Sequence, residues 1–132
     1  MGYAIAARAA MRGADATLVS GPTALDTPHG VTRVDIVSAR DMYDAVTSRA
    51  PEQDFIIKAA AVGDYRPAQT ADEKLKKGDG EMNIELTRNP DILAALGKDK
   101  KPGQMLCGFA METQNLLDTP RASCAARTAI CL

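Results

Sequence analysis

Phe55-Ile56-Ile57-Lys58-Ala59-Ala60-Ala61-Val62 is an almost uninterrupted apolar run, and its reading decides the fold. A strand with one wet face alternates apolar and polar residues, whereas a run without alternation suits a strand covered on both faces. We therefore expect this segment at the centre of a parallel sheet. Upstream of it, Ser38 and Asp41 have the spacing of a reciprocal helix cap, predicting a helix over Met42 to Arg49 that Pro51 ends. Before that helix, Val31, Val34, Ile36 and Val37 mark a strand, and Ala14 to Ser20 carries another into the turn pair Gly21-Pro22. Ala4 to Met11 is a small-residue helix, with Gly13 placed to close it in the left-handed conformation.

Downstream, Gly63 to Gly80 turns to glycine, proline and charge and reads as one long loop, a length that in compact domains usually carries function. Met82 to Thr87 alternates as a shorter strand, Asn89-Pro90-Asp91 opens a helix through Leu96, and Gln104 to Ala110 is a buried strand. Strands alternating with helices imply parallel pairing through right-handed crossovers. The expected fold is thus α/β, a three-layer Rossmann-like, mostly parallel sheet. In such a sheet the first strand precedes the first helix and feeds it through a phosphate-binding loop. Here the helix comes first, so the first strand is missing from residues 1–132, and the edges it would cover are expected to favour self-association.

Composition narrows the function classes. With 132 residues, 45% apolar and 25% charged, the chain is long enough for one packed domain and far from disordered compositions. Its 16 basic and 17 acidic residues nearly cancel, which argues against a nucleic acid or an anionic membrane as partner. Cys107, Cys124 and Cys131 lack metal-ligand spacing, so no protein metal site is expected and the thiols read as reduced. The single histidine, His29, follows Thr27-Pro28 in a surface loop and is given no role. No signal-peptide run or spanning segment is visible, and the expected location is the cytoplasm.

Four segments have residue types suited to chemistry. Ala59-Ala60-Ala61-Val62-Gly63-Asp64-Tyr65-Arg66 ends the central strand with small side chains that permit close approach to a base or ribose, and Asp64 offers a carboxylate to a ligand or to metal-bound phosphates. The same residues equally suit tight packing under a helix with Asp64 capping a turn. Lys74-Leu75-Lys76-Lys77, in the long loop, could neutralise a leaving pyrophosphate or form a solvated basic turn. Asn89-Pro90-Asp91-Ile92 combines an amide able to discriminate bases with a helix start, or is a helix cap alone. Gly108-Phe109-Ala110-Met111-Glu112-Thr113 ends another strand, with Phe109 able to stack on a base or to fill the core.

Taken in order, these segments resemble phosphopantothenate–cysteine ligase of the bacterial, CTP-dependent type found fused behind a flavin-dependent decarboxylase. Met1-Gly2-Tyr3-Ala4-Ile5-Ala6 resembles the helix that follows the family's phosphate-binding loop, and Leu18-Val19-Ser20-Gly21-Pro22 its next strand and turn. The resemblance covers residues 1 to 117, as a partial CTP-binding domain; residues 118–132, with Pro120 where a helix is expected, form an aberrant tail without legible periodicity.

What the resemblance implies is a two-step reaction. The carboxylate of 4'-phosphopantothenate attacks the α-phosphorus of CTP with release of pyrophosphate, and the amine of cysteine then takes the acyl group and releases CMP. It assigns Lys74 and Asp64 to catalysis, and Lys58, Ala59, Ala60, Asp64, Lys74, Asn89, Pro90, Asp91, Ile92 and Phe109 to nucleotide binding. It also implies Mg2+ on the triphosphate, FMN only in a decarboxylase half outside this chain, and a homodimer in the intact enzyme. Two other readings stand beside it. One is a fragment of a Rossmann-type NAD(P)-binding oxidoreductase, although its glycine-rich fingerprint is not in these residues. The other is a non-catalytic interaction module.

Overall fold

The structure is a computed structural model and describes residues 1–71, 73–75, 82–109 and 130–131. It opens with α1 (Gly2–Met11), leading through Gly13 (φ 86°) into β1 (Ala16–Ser20). Only glycine takes such a φ without cost, and this lets the chain reverse within a few residues of the helix end. β1 pairs in parallel with β2 (Val31–Asp35), from Ala16 opposite Val31 to Ser20 opposite Asp35. Their crossover, residues 21–30, contains no helix. Arg33 anchors it by donating to the Leu25 carbonyl (2.9 Å) and pairing with Asp35 (2.6 Å).

α2 (Ala39–Arg49) begins with the expected reciprocal cap: Ser38 Oγ accepts from the Asp41 amide (3.1 Å), and the Asp41 carboxylate accepts from the Ser38 amide (2.8 Å). The Ser38 backbone N–H is the main cause that holds the Asp41 carboxyl below its usual range, helped by the Ser38 hydroxyl contact and opposed by slight desolvation. Pro51 falls in a short 3-10 turn, Ala50–Glu52, that ends the helix and delivers the chain to β3 (Phe55–Lys58). β3 pairs in parallel with β6 (Met105–Gly108), and β6 with the short β7 (Ile130–Cys131). Between them, β4 (Tyr65–Pro67) and β5 (Leu86–Arg88) form an antiparallel ladder, followed by α3 (Ile92–Lys98).

The core joins the helices to the second sheet. Ile92, Leu93 and Leu96 of α3 pack on Leu106 of β6, the most deeply buried of the described side chains, with Met42, Tyr43 and Val46 of α2, Ala50 of the 3-10 turn, and Ile56 and Val62 alongside. Gly108 lies so close to Leu93 that a Cβ there would sit 2.9 Å from Cδ2.

Gln104 is buried yet polar, and bolts this assembly together. Its Nε2 donates to the carbonyls of Ala50 (2.7 Å) and Gln53 (2.6 Å), tying the end of α2 to the start of β6.

The α/β class and the parallel pairing agree with the sequence reading, but several details differ. The apolar run is strand only over Phe55–Lys58, and it is not covered on both faces: Phe55 is 66% and Ile57 46% exposed. Nor is β3 central, since among the described residues it pairs with β6 alone. The single expected sheet is three ladders, β1–β2, β3–β6–β7 and β4–β5. The segment read as one loop from Gly63 contains β4, because three residues pairing with β5 satisfy backbone groups there without the apolar alternation that marks a longer strand. The strand read over Met82 to Thr87 is ordered as strand only at Leu86–Arg88. Ile130 and Cys131, in a stretch without periodicity, still pair with β6.

Candidate functional site

The carboxyl ends of β1 and β3 meet the amino end of α1, and that of β6 lies alongside β3. At β1, Ser20 Oγ donates to the Gly21 carbonyl (2.9 Å), so the Tyr3 hydroxyl donates to Ser20 Oγ (2.8 Å), fixing the first turn of α1 to that strand end. At β3, Ala59 lies beside Gly2, where a Cβ would meet the alanine methyl at 3.7 Å. At β6, the Phe109 amide donates to the Lys58 carbonyl (3.1 Å), so Phe109, 37% exposed, stands directly beside the residues that follow β3. Lys58, Ala59, Ala60 and Phe109 are thereby brought onto one edge, with small side chains leaving the backbone accessible. Open parallel sheets bind ligands at this edge.

A second cluster adjoins it through the β4–β5 ladder. The Asn89 amide N–H donates to the Asp64 carbonyl (2.8 Å), and Asn89 Nδ2 donates to the Gly63 carbonyl (2.8 Å). Arg66 donates to Asn89 Oδ1 (3.1 Å) and to the Arg88 carbonyl (2.6 Å). Asn89 is thus a latch between the loop after β3 and the loop before α3, with both ends of its side-chain amide engaged. The only sequence signal for this role of Arg66 is its place two residues beyond Asp64. Arg88 also lies over the Tyr65 ring, 5.7 Å from its centroid.

Asp64 is exposed at the end of the small-residue run. Asp91, rather than proline, caps α3: its Oδ1 accepts from the Ala94 amide (3.0 Å), and Pro90 precedes the helix. Ile92 is buried in the core, so it presents backbone and not side chain to a ligand. Lys74 is exposed and makes no hydrogen bond or ion pair with a described residue, while Lys76, Lys77 and residues 110–113 lie outside the described residues. Among the described residues no three His, Cys, Asp or Glu side chains cluster as a metal site.

A family model described as the DNA/pantothenate metabolism flavoprotein C-terminal domain matches residues 1–130. The chain belongs to this family. The match runs past residue 117, into the segment read as departing from it. Among curated relatives, the coenzyme A biosynthesis bifunctional protein CoaBC of Vibrio vulnificus strain YJ016 is 48% identical over 118 residues, covering 88% of this chain and 29% of its own length. The Escherichia coli K12 protein of the same name is 47% identical over 125 residues (92% and 30%), and that of Bacillus subtilis strain 168 is 46% identical over 128 (96% and 31%). The chain therefore spans about a third or less of the curated relatives it matches.

The crystal structure of the C-terminal domain of a coenzyme A biosynthesis bifunctional protein CoaBC superposes with a TM-score of 0.84 at 43% identity, covering 97% of this chain and 59% of that one. A DNA/pantothenate metabolism flavoprotein from Streptococcus pneumoniae has a TM-score of 0.73 at 19% identity (90% and 63%), and so shares the fold. No helix among the described residues is long and apolar enough to cross a membrane.

Proposed function

We propose that residues 1–132 are the nucleotide-handling part of a CTP-dependent phosphopantothenate–cysteine ligase in coenzyme A biosynthesis, working in the cytoplasm on small-molecule substrates. The observation that carries this is the coincidence of the family match over residues 1–130 with the convergence of Lys58, Ala59, Ala60 and Phe109 at the carboxyl edge of the parallel strands. In this reading the base and ribose lie over the Ala59–Ala60 backbone, with Phe109 available for stacking. Asn89 shapes the pocket wall by holding the Gly63–Asp64 loop through the contacts above, and Pro90, Asp91 and Ile92 contribute the backbone beside it. Lys74, on the exposed loop, neutralises charge on the departing pyrophosphate.

The chemistry is activation of the 4'-phosphopantothenate carboxylate as an acyl-cytidylate, then capture by the amine of cysteine. Mg2+ accompanies the triphosphate. The described residues form no metal cage, and Asp64 offers the kind of single carboxylate that magnesium takes together with substrate phosphates. FMN belongs to a decarboxylase half, and the intact enzyme is a homodimer. The experiment is a thermal-shift titration with CTP, ATP and NAD, with magnesium, on the wild type and on Asp64→Ala. Selective stabilisation by CTP that is lost in the variant is expected, because a ligand bound to the native state raises its apparent stability. Stabilisation by NAD instead would transfer the site to the oxidoreductase reading, and no response to any nucleotide would leave the non-catalytic module.

A further inference from the structure

The partners of Asn89 fix which way its side-chain amide points. The Gly63 carbonyl can only accept, so the group facing it at 2.8 Å is Nδ2. The Arg66 guanidinium can only donate, so the group facing it at 3.1 Å is Oδ1. Arg66 spends its Nη1 on uncharged oxygens: the same nitrogen donates to the Arg88 carbonyl at 2.6 Å, and among the described residues Arg66 forms no ion pair. Its own place is set by the β4–β5 ladder, where it lies half-buried opposite Thr87. The Asn89 backbone is held as well, its N–H donating to the Asp64 carbonyl (2.8 Å).

These bonds leave part of the amide unspent. Nδ2 carries two N–H groups and Oδ1 two lone pairs, and one of each is engaged. What remains is one donor and one acceptor, side by side and in a fixed order, at the end of the small-residue run on which the base is placed. That order matches cytosine, whose exocyclic amine donates to Oδ1 while its ring N3 accepts from Nδ2. Uracil presents the reverse, a carbonyl acceptor beside a ring N–H donor, and fits only the flipped amide. Adenine shares the cytosine order, so this amide separates cytosine from uracil and not from adenine. CTP and UTP carry the same triphosphate, so a difference between them comes from the base alone.

We propose that Arg66 is a positioning residue that sets the selection of cytosine over uracil, by locking the flip of the Asn89 amide. This rests on the nucleotide-site reading above and names the residue behind its base preference. Without the Arg66 donor, the Gly63 carbonyl alone orients the amide. That contact is exposed, so water replaces it when the amide turns over, and the flipped amide then accepts uracil. Arg66 does not touch the base and acts only through Asn89.

The experiment titrates the full 132-residue chain with CTP and with UTP, magnesium present, by isothermal calorimetry, and takes the ratio of the two dissociation constants. A two-point contact to the base predicts that the wild type favours CTP at least about tenfold. Arg66→Met keeps an apolar stem and removes the donors; it should lower that ratio at least about fivefold, the worth of one hydrogen bond. Arg66→Lys, which restores a donor, should recover most of the preference. An arginine that only braces the fold would weaken both nucleotides alike, and an unchanged ratio in Arg66→Met overturns the proposal. Equal binding of CTP and UTP by the wild type also overturns it and leaves the nucleotide site standing, whereas a wild type that binds no nucleotide removes the site reading and this inference together. If Arg66→Met loses its cooperative melt, NMR of the wild type and of Arg66→Lys decides. The Asn89 side-chain NH2 resonances should shift with CTP and stay in place with UTP, and the same response to both nucleotides overturns the proposal.

Discussion

Replacing Gln104 tests how the end of α2 and the approach to β3 are held against the start of β6. Its Nε2 makes two short bonds, 2.7 Å to the Ala50 carbonyl and 2.6 Å to the Gln53 carbonyl, at a position only 8% exposed. Immediately afterwards the Met105 amide donates to the Asp54 carbonyl (2.8 Å), opening the β3–β6 ladder that places Phe109 beside Lys58. Gln104→Leu keeps the bulk and removes the donors. With a net ~0.5–1.5 kcal/mol for each bond, the expected loss is about 2 kcal/mol. At a urea dependence of roughly 1–3 kcal/mol per molar, the unfolding midpoint should fall by about 1 M.

Gln104→Glu should be worse near neutral pH, by about 3 kcal/mol or more, because an ionised carboxylate donates nothing and faces two carbonyl oxygens while buried. The fold disfavours the charged form, so the introduced carboxyl has a folded-state pKa above its unfolded value of roughly 4.3. The penalty is complete above the folded value and disappears as pH falls below the unfolded one, where the neutral acid can donate to one carbonyl. Urea midpoints at several pH values, normalised to wild type, read this out. A Glu variant as stable as wild type at neutral pH, or a deficit that does not shrink on acidification, would refute the reasoning.

Two further outcomes are expected. Gly108→Ala places a methyl 2.9 Å from Leu93 Cδ2 within the core and should cost about 1–3 kcal/mol by thermal unfolding; adding Leu93→Ala should relieve part of that cost, and strict additivity in the double-mutant cycle would show that the two do not collide. The Asp41 carboxyl, held low chiefly by the Ser38 backbone N–H, supports the start of α2 above the ordinary carboxylate range and loses that role as pH falls through its depressed folded value. Carbon-detected NMR titration should show this midpoint below the usual range, and Ser38→Ala should move it part of the way back; an ordinary midpoint in the wild type would count against the cap.

Local chemistry was legible wherever a residue acts within its own turn. The Ser38–Asp41 pair, the left-handed Gly13 and the Gly21-Pro22 stop needed only neighbours a few positions away. Parallel pairing followed from the alternation of helices and strands. At the candidate site, Ala59, Ala60 and Phe109 were legible as strand-end residues, but the function of Asn89 as a latch was not, because its partners Gly63 and Arg66 are 26 and 23 residues away.

The sequence by itself determined the class of fold, the family, and which segments reach the carboxyl edge, since these depend on hydrophobic period, caps and motif order. Only the tertiary structure decided how strands share edges. A run such as Phe55 to Val62 records that both faces are apolar, but hydrogen-bond partners are chosen by the backbone, which every residue type carries alike. Hence the run predicts a central strand, while among the described residues β3 pairs with β6 alone.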